Sequence, residues 1–166
     1  MKSKKIALVG YLADSEFDHC GSYFNAGANV VTVKAAMEAA GLGMTYSVGA
    51  NTDDTNQSMI PEAVAAAGSA DVVVVVLGDS KKTCGEMVDR SDLDLPGGQL
   101  SLLRALTATG KPVVVLLLHG RQVTFGRNSE CPTTGQWHPP EASRHFASQN
   151  DRSDQILFGC SHRRRA

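Results

Sequence analysis

The chain is poor in the features that mark several protein classes at once. Its four cysteines, Cys20, Cys84, Cys131 and Cys160, form no CxxC pair. That spacing argues against a zinc ribbon and makes free thiols the expectation. Aromatic residues make up 5% of the sequence, with Trp137 the one tryptophan. Surfaces that hold sugars unaided stack them on several rings, so autonomous carbohydrate binding is not expected. Neither sign of charge is in excess: 16 basic and 17 acidic residues leave a formal charge of −1. There is no basic field for nucleic acid, and Arg163 to Arg165 alone do not make one. No apolar run approaches a membrane span. Lys2, Lys4 and Lys5 precede only Ile6–Val9, too short for a signal-peptide core, so the chain as written is expected in the cytoplasm. Nucleotide fingerprints are also missing. The first apolar run leads into "GYLADSEFDHCGSYFNAG", which is neither GxGxxG nor GxxxxGK[ST], and no helix is expected directly after Gly10 to receive a phosphate. No cofactor and no metal are expected.

What is present reads as one α/β domain within 166 residues, 42% of them hydrophobic. Apolar runs at Ile6–Val9, Met44–Val48, Asp71–Leu77 (DVVVVVL) and Pro112–Leu118 (PVVVLLL) are strand candidates. The last two are apolar on both faces and should be buried by helices above and below. Between them lie helical patterns. Val30–Ala40 places Val30, Val33, Met37 and Ala40 on one face and stops at Gly41. Met59–Ala67 carries Pro61 in its first turn, and Gln99–Ala108 closes at Gly110. Alternation of this kind implies a mostly parallel sheet with right-handed crossovers, flanked by helices on both faces in a three-layer sandwich. Ligands of such sheets bind beyond the carboxyl ends of the strands. The segments there are Gly10–Gly27, Gly49–Asn56, Gly78–Gly98 and His119–Gly126. Residues 127–166 differ in character. They are rich in Arg, Ser, His, Gln and Pro, with one compact apolar run at Ile156–Phe158, and are expected to form a divergent, poorly ordered tail.

One loop is dense in carboxylates: Asp79, Glu86, Asp89, Asp92 and Asp94, with Arg90 among them. Asp92 and Asp94 precede Leu95-Pro96-Gly97, where short carboxylates bind turn amides. Arg90 is placed to pair with one of them and pin the loop. Glu86 sits mid-loop, where no cap or turn requires a glutamate. Cys84 in the same loop and His19 or His119 in others make a Cys-His pair geometrically possible. The sequence around Cys84 lacks the strand-turn-helix elbow that exposes a nucleophile.

The stretches "KIALVGYLAD", "ADVVVVVLGDS" and "GEMVDRSDLDLPGGQLSLLRALTATGKPVVVLLLHGRQVTF" together resemble the C-terminal α/β-sandwich domain of family 3 glycoside hydrolases, the β-glucosidases, β-xylosidases and their relatives. The resemblance runs in order from about Lys5 to Phe125, so residues 1–126 are expected to be that domain. It implies a fragment or separate domain of a β-glycosidase that works with a TIM barrel absent from this chain. In the family, the barrel supplies an aspartate nucleophile and most of the pocket for a β-linked glucoside or xyloside. In many members, this domain lends the acid/base glutamate. Glu86 stands where the glutamate of the family's Glu-x-x-x-Arg stretch stands and is the implied acid/base. Asp79, Asp89 and Arg90 are implied as the loop around it, with Asp79 an organiser after the strand. Beyond Phe125 the pattern departs: Trp137-His138-Pro139 and Leu157-Phe158-Gly159 look like remnants of family segments in polar surroundings. Two other readings remain open, a non-catalytic carbohydrate-binding or partner domain, and a degenerate truncated product.

Overall fold

The computed structural model describes residues 4–19 and 29–125, and the backbone of a two-residue strand at 157–158. The elements run β1 (Ile6–Val9), a 3-10 turn (Tyr11–Asp14), α1 (Glu16–His19), α2 (Val33–Ala39), β2 (Met44–Ser47), α3 (Ile60–Ser69), β3 (Val72–Gly78), α4 (Gln99–Ala108), β4 (Val113–Leu118) and β5 (Leu157–Phe158). The sheet order is β2-β1-β3-β4-β5. The first four strands are mutually parallel, as each apolar run is followed by a helix that carries the chain back. β5 joins antiparallel at the edge, with Leu116 opposite Phe158 and Leu117 opposite Leu157. β5 lies within the compact apolar run Ile156–Phe158, and the remainder of residues 127–166, on which the expectation of a poorly ordered tail falls, lies outside the described residues.

Side-chain alternation along the strands builds two cores, as the period of two requires. Ala7, Val9, Val73, Val75 and Leu77 point to one face and are covered by Ala63 and Ala67 of α3 and Leu102, Leu103 and Leu106 of α4. Leu8 and Val76 point to the other and meet Leu12 and Ala13 of the 3-10 turn, with Val33 and Met37 of α2 at the margin. Burying each large aliphatic side chain contributes about 1.5–3 kcal/mol, so these layers are the main source of stability. This is the three-layer α/β sandwich that the alternating pattern implies.

Three expectations need correction. α2 begins at Val33, not Val30, because Thr32 caps it: its hydroxyl accepts from the Ala35 N–H at 3.1 Å, leaving Val31 exposed in front. A helical turn does follow Gly10 directly, but it is 3-10, four residues long, and spends Leu12 and Ala13 on the core. β4 is not wholly buried. Val113 and Leu117 are, while Val114, Val115, Leu116 and Leu118 are half-covered, with Val115 against one core and Leu116 and Leu118 against the other.

Two glycines set how closely the strands end. Gly78 closes β3 with φ 140°, and a Cβ there would lie 1.8 Å from the Leu118 carbonyl oxygen. Gly10 closes β1 with φ 119°, and a Cβ there would lie 2.1 Å from the Val76 oxygen. Both positions need backbone space and a φ that only glycine adopts readily.

Candidate functional site

The carboxylate-rich loop springs from Gly78, and its two ends are tied together by Gln99. The Gln99 side chain is buried at the start of α4. Its Oε1 accepts from the Gly78 N–H at 2.8 Å, and its Nε2 donates to the Gly78 and Pro96 oxygens at 2.8 and 2.9 Å. The amide thus pairs with the end of β3 as a neighbouring strand would. The sequence pattern marks Gln99 only as the first residue of the helix Gln99–Ala108. Its signal was a polar residue one turn from the apolar face of Leu102, Leu103 and Leu106.

Asp79 follows immediately, with its side chain 3% exposed. Its N–H donates to the Leu118 oxygen at 2.8 Å, which fixes the residue against the end of β4. Its Oδ1 lies 3.1 Å from Nη2 of Arg90, and the Thr83 hydroxyl donates to the same oxygen at 3.3 Å. Arg90 therefore takes Asp79 as its carboxylate partner, not Asp92 or Asp94 as sequence proximity suggested. It also donates from Nη1 to the backbone oxygen of Asp94 at 2.9 Å. The difference arises because the loop folds back on itself, which local spacing does not reveal. Asp92 does bind a turn amide, accepting from Asp94 N at 3.1 Å. Asp94 accepts from the Thr124 hydroxyl, next to backbone bonds that join Leu93 and Leu95 to Thr124.

Burial pushes the Asp79 carboxyl above the ordinary aspartate range, outweighing the opposing pull of Arg90, Thr83, Arg121 and His119. A raised folded-state pKa adds stability below the unfolded-state pKa and loses it as pH rises through the folded value. Arg90→Met removes the largest counter-charge and widens that gap. At neutral pH it is expected to destabilise the chain by about 3–5 kcal/mol, because an ionised Asp79 is left buried without its partner. In acid, with Asp79 protonated, the loss should shrink markedly. Urea denaturation at both pH values measures it, and equal losses would show that Arg90 acts through packing alone.

Glu86 sits at the tip of the loop and is exposed. Gly85 to Val88 form a tight turn closed by Val88 N–H donating to the Gly85 oxygen at 3.2 Å. Its third residue, Met87, has φ 61°, the positive value of a type II turn, and is 95% exposed. Glu86 and Met87 thus project together from the sheet. Asp89 is exposed beyond the turn, within electrostatic reach of Arg121. Arg121, from the loop after β4, donates to the Val88 oxygen at 2.7 Å and to Cys84 Sγ at 3.4 Å. The sequence pattern gives it no role beyond its place in the stretch that resembles the family. Cys84 is a free thiol, and the other three cysteines lie outside the described residues.

A separate cleft of about 270 Å³ opens beyond the ends of β1, β2 and β3, at the point where strand order reverses. Tyr11, Phe17, Asp18 and Asn51 to Asp54 line it, with Lys82 bonded to Asp53 at 2.7 Å. None of Asp79, Glu86, Asp89 and Arg90 contributes to it. Lys81 crosses the Phe17 ring at 3.8 Å from its centroid and donates its N–H to Asp18 at 2.8 Å, which docks α1 against the start of the loop. Among the described residues there is no cluster of His, Cys, Asp and Glu able to hold a metal ion, and no helix long and apolar enough to cross a membrane.

A mostly parallel sheet between helical layers, with a braced acidic loop beyond β3, defines a three-layer α/β-sandwich domain. The family model "Glycosyl hydrolase family 3 C-terminal domain" matches residues 1–140, and the chain belongs to that family. A β-xylosidase of Formosa agariphila is 45% identical over 87 residues, which is 52% of this chain and 12% of the relative. A periplasmic β-glucosidase of Salmonella typhimurium is 38% identical, covering 78% of this chain and 20% of the relative. Among solved structures, a GH3 exo-β-xylosidase in complex with a xylobiose aziridine probe superposes with TM-score 0.70 at 31% identity, covering 74% of this chain and 16% of that one. The chain therefore spans a fifth or less of the length of these proteins.

Proposed function

We propose that this chain is the acid/base-bearing domain of a β-glycosidase, with Glu86 as the residue that protonates the leaving oxygen. The observation that carries the reading is the placement of Glu86. It occupies the glutamate position of the family's Glu-x-x-x-Arg stretch, and it stands exposed at the tip of a turn on a loop braced at both ends. A residue that must reach a substrate held by another domain needs that combination of reach and fixity. The substrate is a β-linked glucoside or xyloside, the classes named in the relatives, held in a TIM barrel that carries the nucleophile.

The reaction follows from two carboxyl groups roughly 5 Å apart across the scissile bond. The barrel's carboxylate attacks the anomeric carbon while Glu86 delivers its proton to the departing oxygen. The resulting glycosyl-enzyme is then opened by water, whose proton Glu86 takes back. Asp79 and Arg90 neither donate nor accept here. Their ion pair, turned into the domain, holds the loop. Asp89 lies outside that pair at the loop surface.

The purified chain should release no nitrophenol from aryl β-glucosides or β-xylosides, since removing one member of a catalytic pair costs several orders of magnitude. The same chain fused in place of the corresponding domain of a related barrel enzyme should hydrolyse them. Turnover by the chain alone that disappears in Glu86→Gln would mean it holds its own second carboxylate. A folded, inactive fusion would favour a non-catalytic partner domain instead.

A further inference from the structure

We propose that Arg121 is a positioning residue that sets the direction of Glu86 by clamping both arms of the turn that carries it. The inference rests on the reading of Glu86 as the acid/base. Its geometric basis is independent of that reading. The guanidinium crosses from the loop after β4 to the loop after β3 and finds two acceptors. One is Cys84 Sγ, two residues before Glu86, at 3.4 Å from Nε. The other is the Val88 oxygen, two residues after it, at 2.7 Å from Nη2. Between these anchors lies only the Gly85–Val88 turn.

Four further facts fit a clamp better than a stray surface contact. The two acceptors are a thiol and a carbonyl, so direction sets these contacts, while Asp79 and Asp89 add a general attraction for the guanidinium. A planar fork with donors at fixed angles meets two such acceptors at once, which a lysine ammonium on a flexible stem cannot do. The base of Arg121 is itself fixed, because His119 Nδ1 bonds its carbonyl oxygen at 2.6 Å. Gly120 beside it lets Cys84 come close, since a Cβ there would lie 3.0 Å from Sγ. The turn also needs an external hold. Met87 adopts φ 61° with its side chain in solvent, and a non-glycine residue keeps such a conformation only where its surroundings over-determine it. Arg90 acts on the other part of the loop, through Asp79 and Asp94, and leaves the tip to Arg121.

The test uses Arg121→Met and Arg121→Lys in the complete chain. Hydrogen exchange followed by NMR should show the Val88 amide exchanging about tenfold faster in both, and iodoacetamide should label Cys84 faster, as read by peptide mass. The amides of Val75 and Leu117 report that the sheet is intact, and Arg121→Lys serves if Arg121→Met does not fold. Unchanged Val88 exchange and unchanged Cys84 labelling in a folded variant would overturn the clamp. The catalytic consequence is read in the barrel fusion by a double-mutant cycle. Arg121→Lys should lower kcat for an alkyl glycoside about tenfold with little change in KM. In the Glu86→Gln background it should have no further effect, because it acts only through Glu86. An equal loss in both backgrounds would overturn the inference. If Glu86→Gln itself leaves alkyl glycoside turnover intact while Val88 exchange still responds, the acid/base assignment falls and the clamp stands.

Discussion

Glu86→Gln in the barrel fusion is expected to slow hydrolysis of alkyl and oligosaccharide substrates by about 10²–10⁴-fold, the usual contribution of a positioned general acid or base. Glycosides of dinitrophenol should behave differently. Their leaving group departs as a stable anion and needs no proton, so the glycosyl-enzyme still forms. The second step does need a base, because water must be activated. The intermediate should therefore accumulate, visible as a burst of dinitrophenolate followed by slow turnover. Azide requires no deprotonation and should restore turnover while yielding a glycosyl azide. Equal slowing of both substrate types without azide rescue would remove Glu86 from the role and turn attention to Asp79 and Asp89. Asp79 would be a poor replacement, because it is buried and paired with Arg90, whereas Asp89 is at least exposed.

Gly78→Ala should cost enough to prevent stable folding. The added methyl would sit 1.8 Å from the Leu118 oxygen, and that oxygen is held in place by the Asp79 N–H at 2.8 Å. Neither partner can retreat without opening the β3–β4 ladder, which runs in register from Val73–Val113 to Gly78–Leu118. The φ of 140° adds backbone strain to the collision. A loss above about 4 kcal/mol, near the whole stability of a small domain, is therefore expected. Gly110→Ala makes the control. Gly110 also has a positive φ, 71°, yet nothing lies within 4 Å of its missing Cβ, so only the conformational cost of about 1 kcal/mol remains. Circular dichroism melts of the two variants separate these cases. A Gly78→Ala protein that melts within a few degrees of the wild type would show that β3 and β4 are less closely locked than their register indicates.

Sequence pattern revealed the framework because burial on both faces leaves a direct mark. β1 and α4 fall where their residues indicate, and β3 and β4 lie within one residue of the valine-rich runs. Helix ends were less legible. The start of α2 depended on whether Thr32 or an earlier residue provided the cap, and the apolar periodicity ran straight through it. The loop was legible in composition but not in its pairings. Asp79 meets Arg90, Gln99 meets Gly78, and Arg121 meets Cys84 and Val88 only after the parallel register has set the carboxyl ends of β3 and β4 side by side. No local rule places those residues together, because each contact spans a crossover or a folded loop. Sequence proximity accordingly favoured Asp92 and Asp94 for Arg90 and missed the buried Asp79.

The Gln99 amide gives the loop a property that concerns length more than strength. Gly78 and Gln99 are 21 residues apart along the chain and joined by paired hydrogen bonds, so the intervening segment is a ring closed without a covalent link. The entropy lost in closing such a ring grows only with the logarithm of its size, about 0.6 kcal/mol for each doubling. Residues added at its tip would thus alter how far Glu86 extends while leaving the sheet and its two cores nearly as stable as before. In this architecture the reach of the loop can change almost independently of the stability of the domain that bears it.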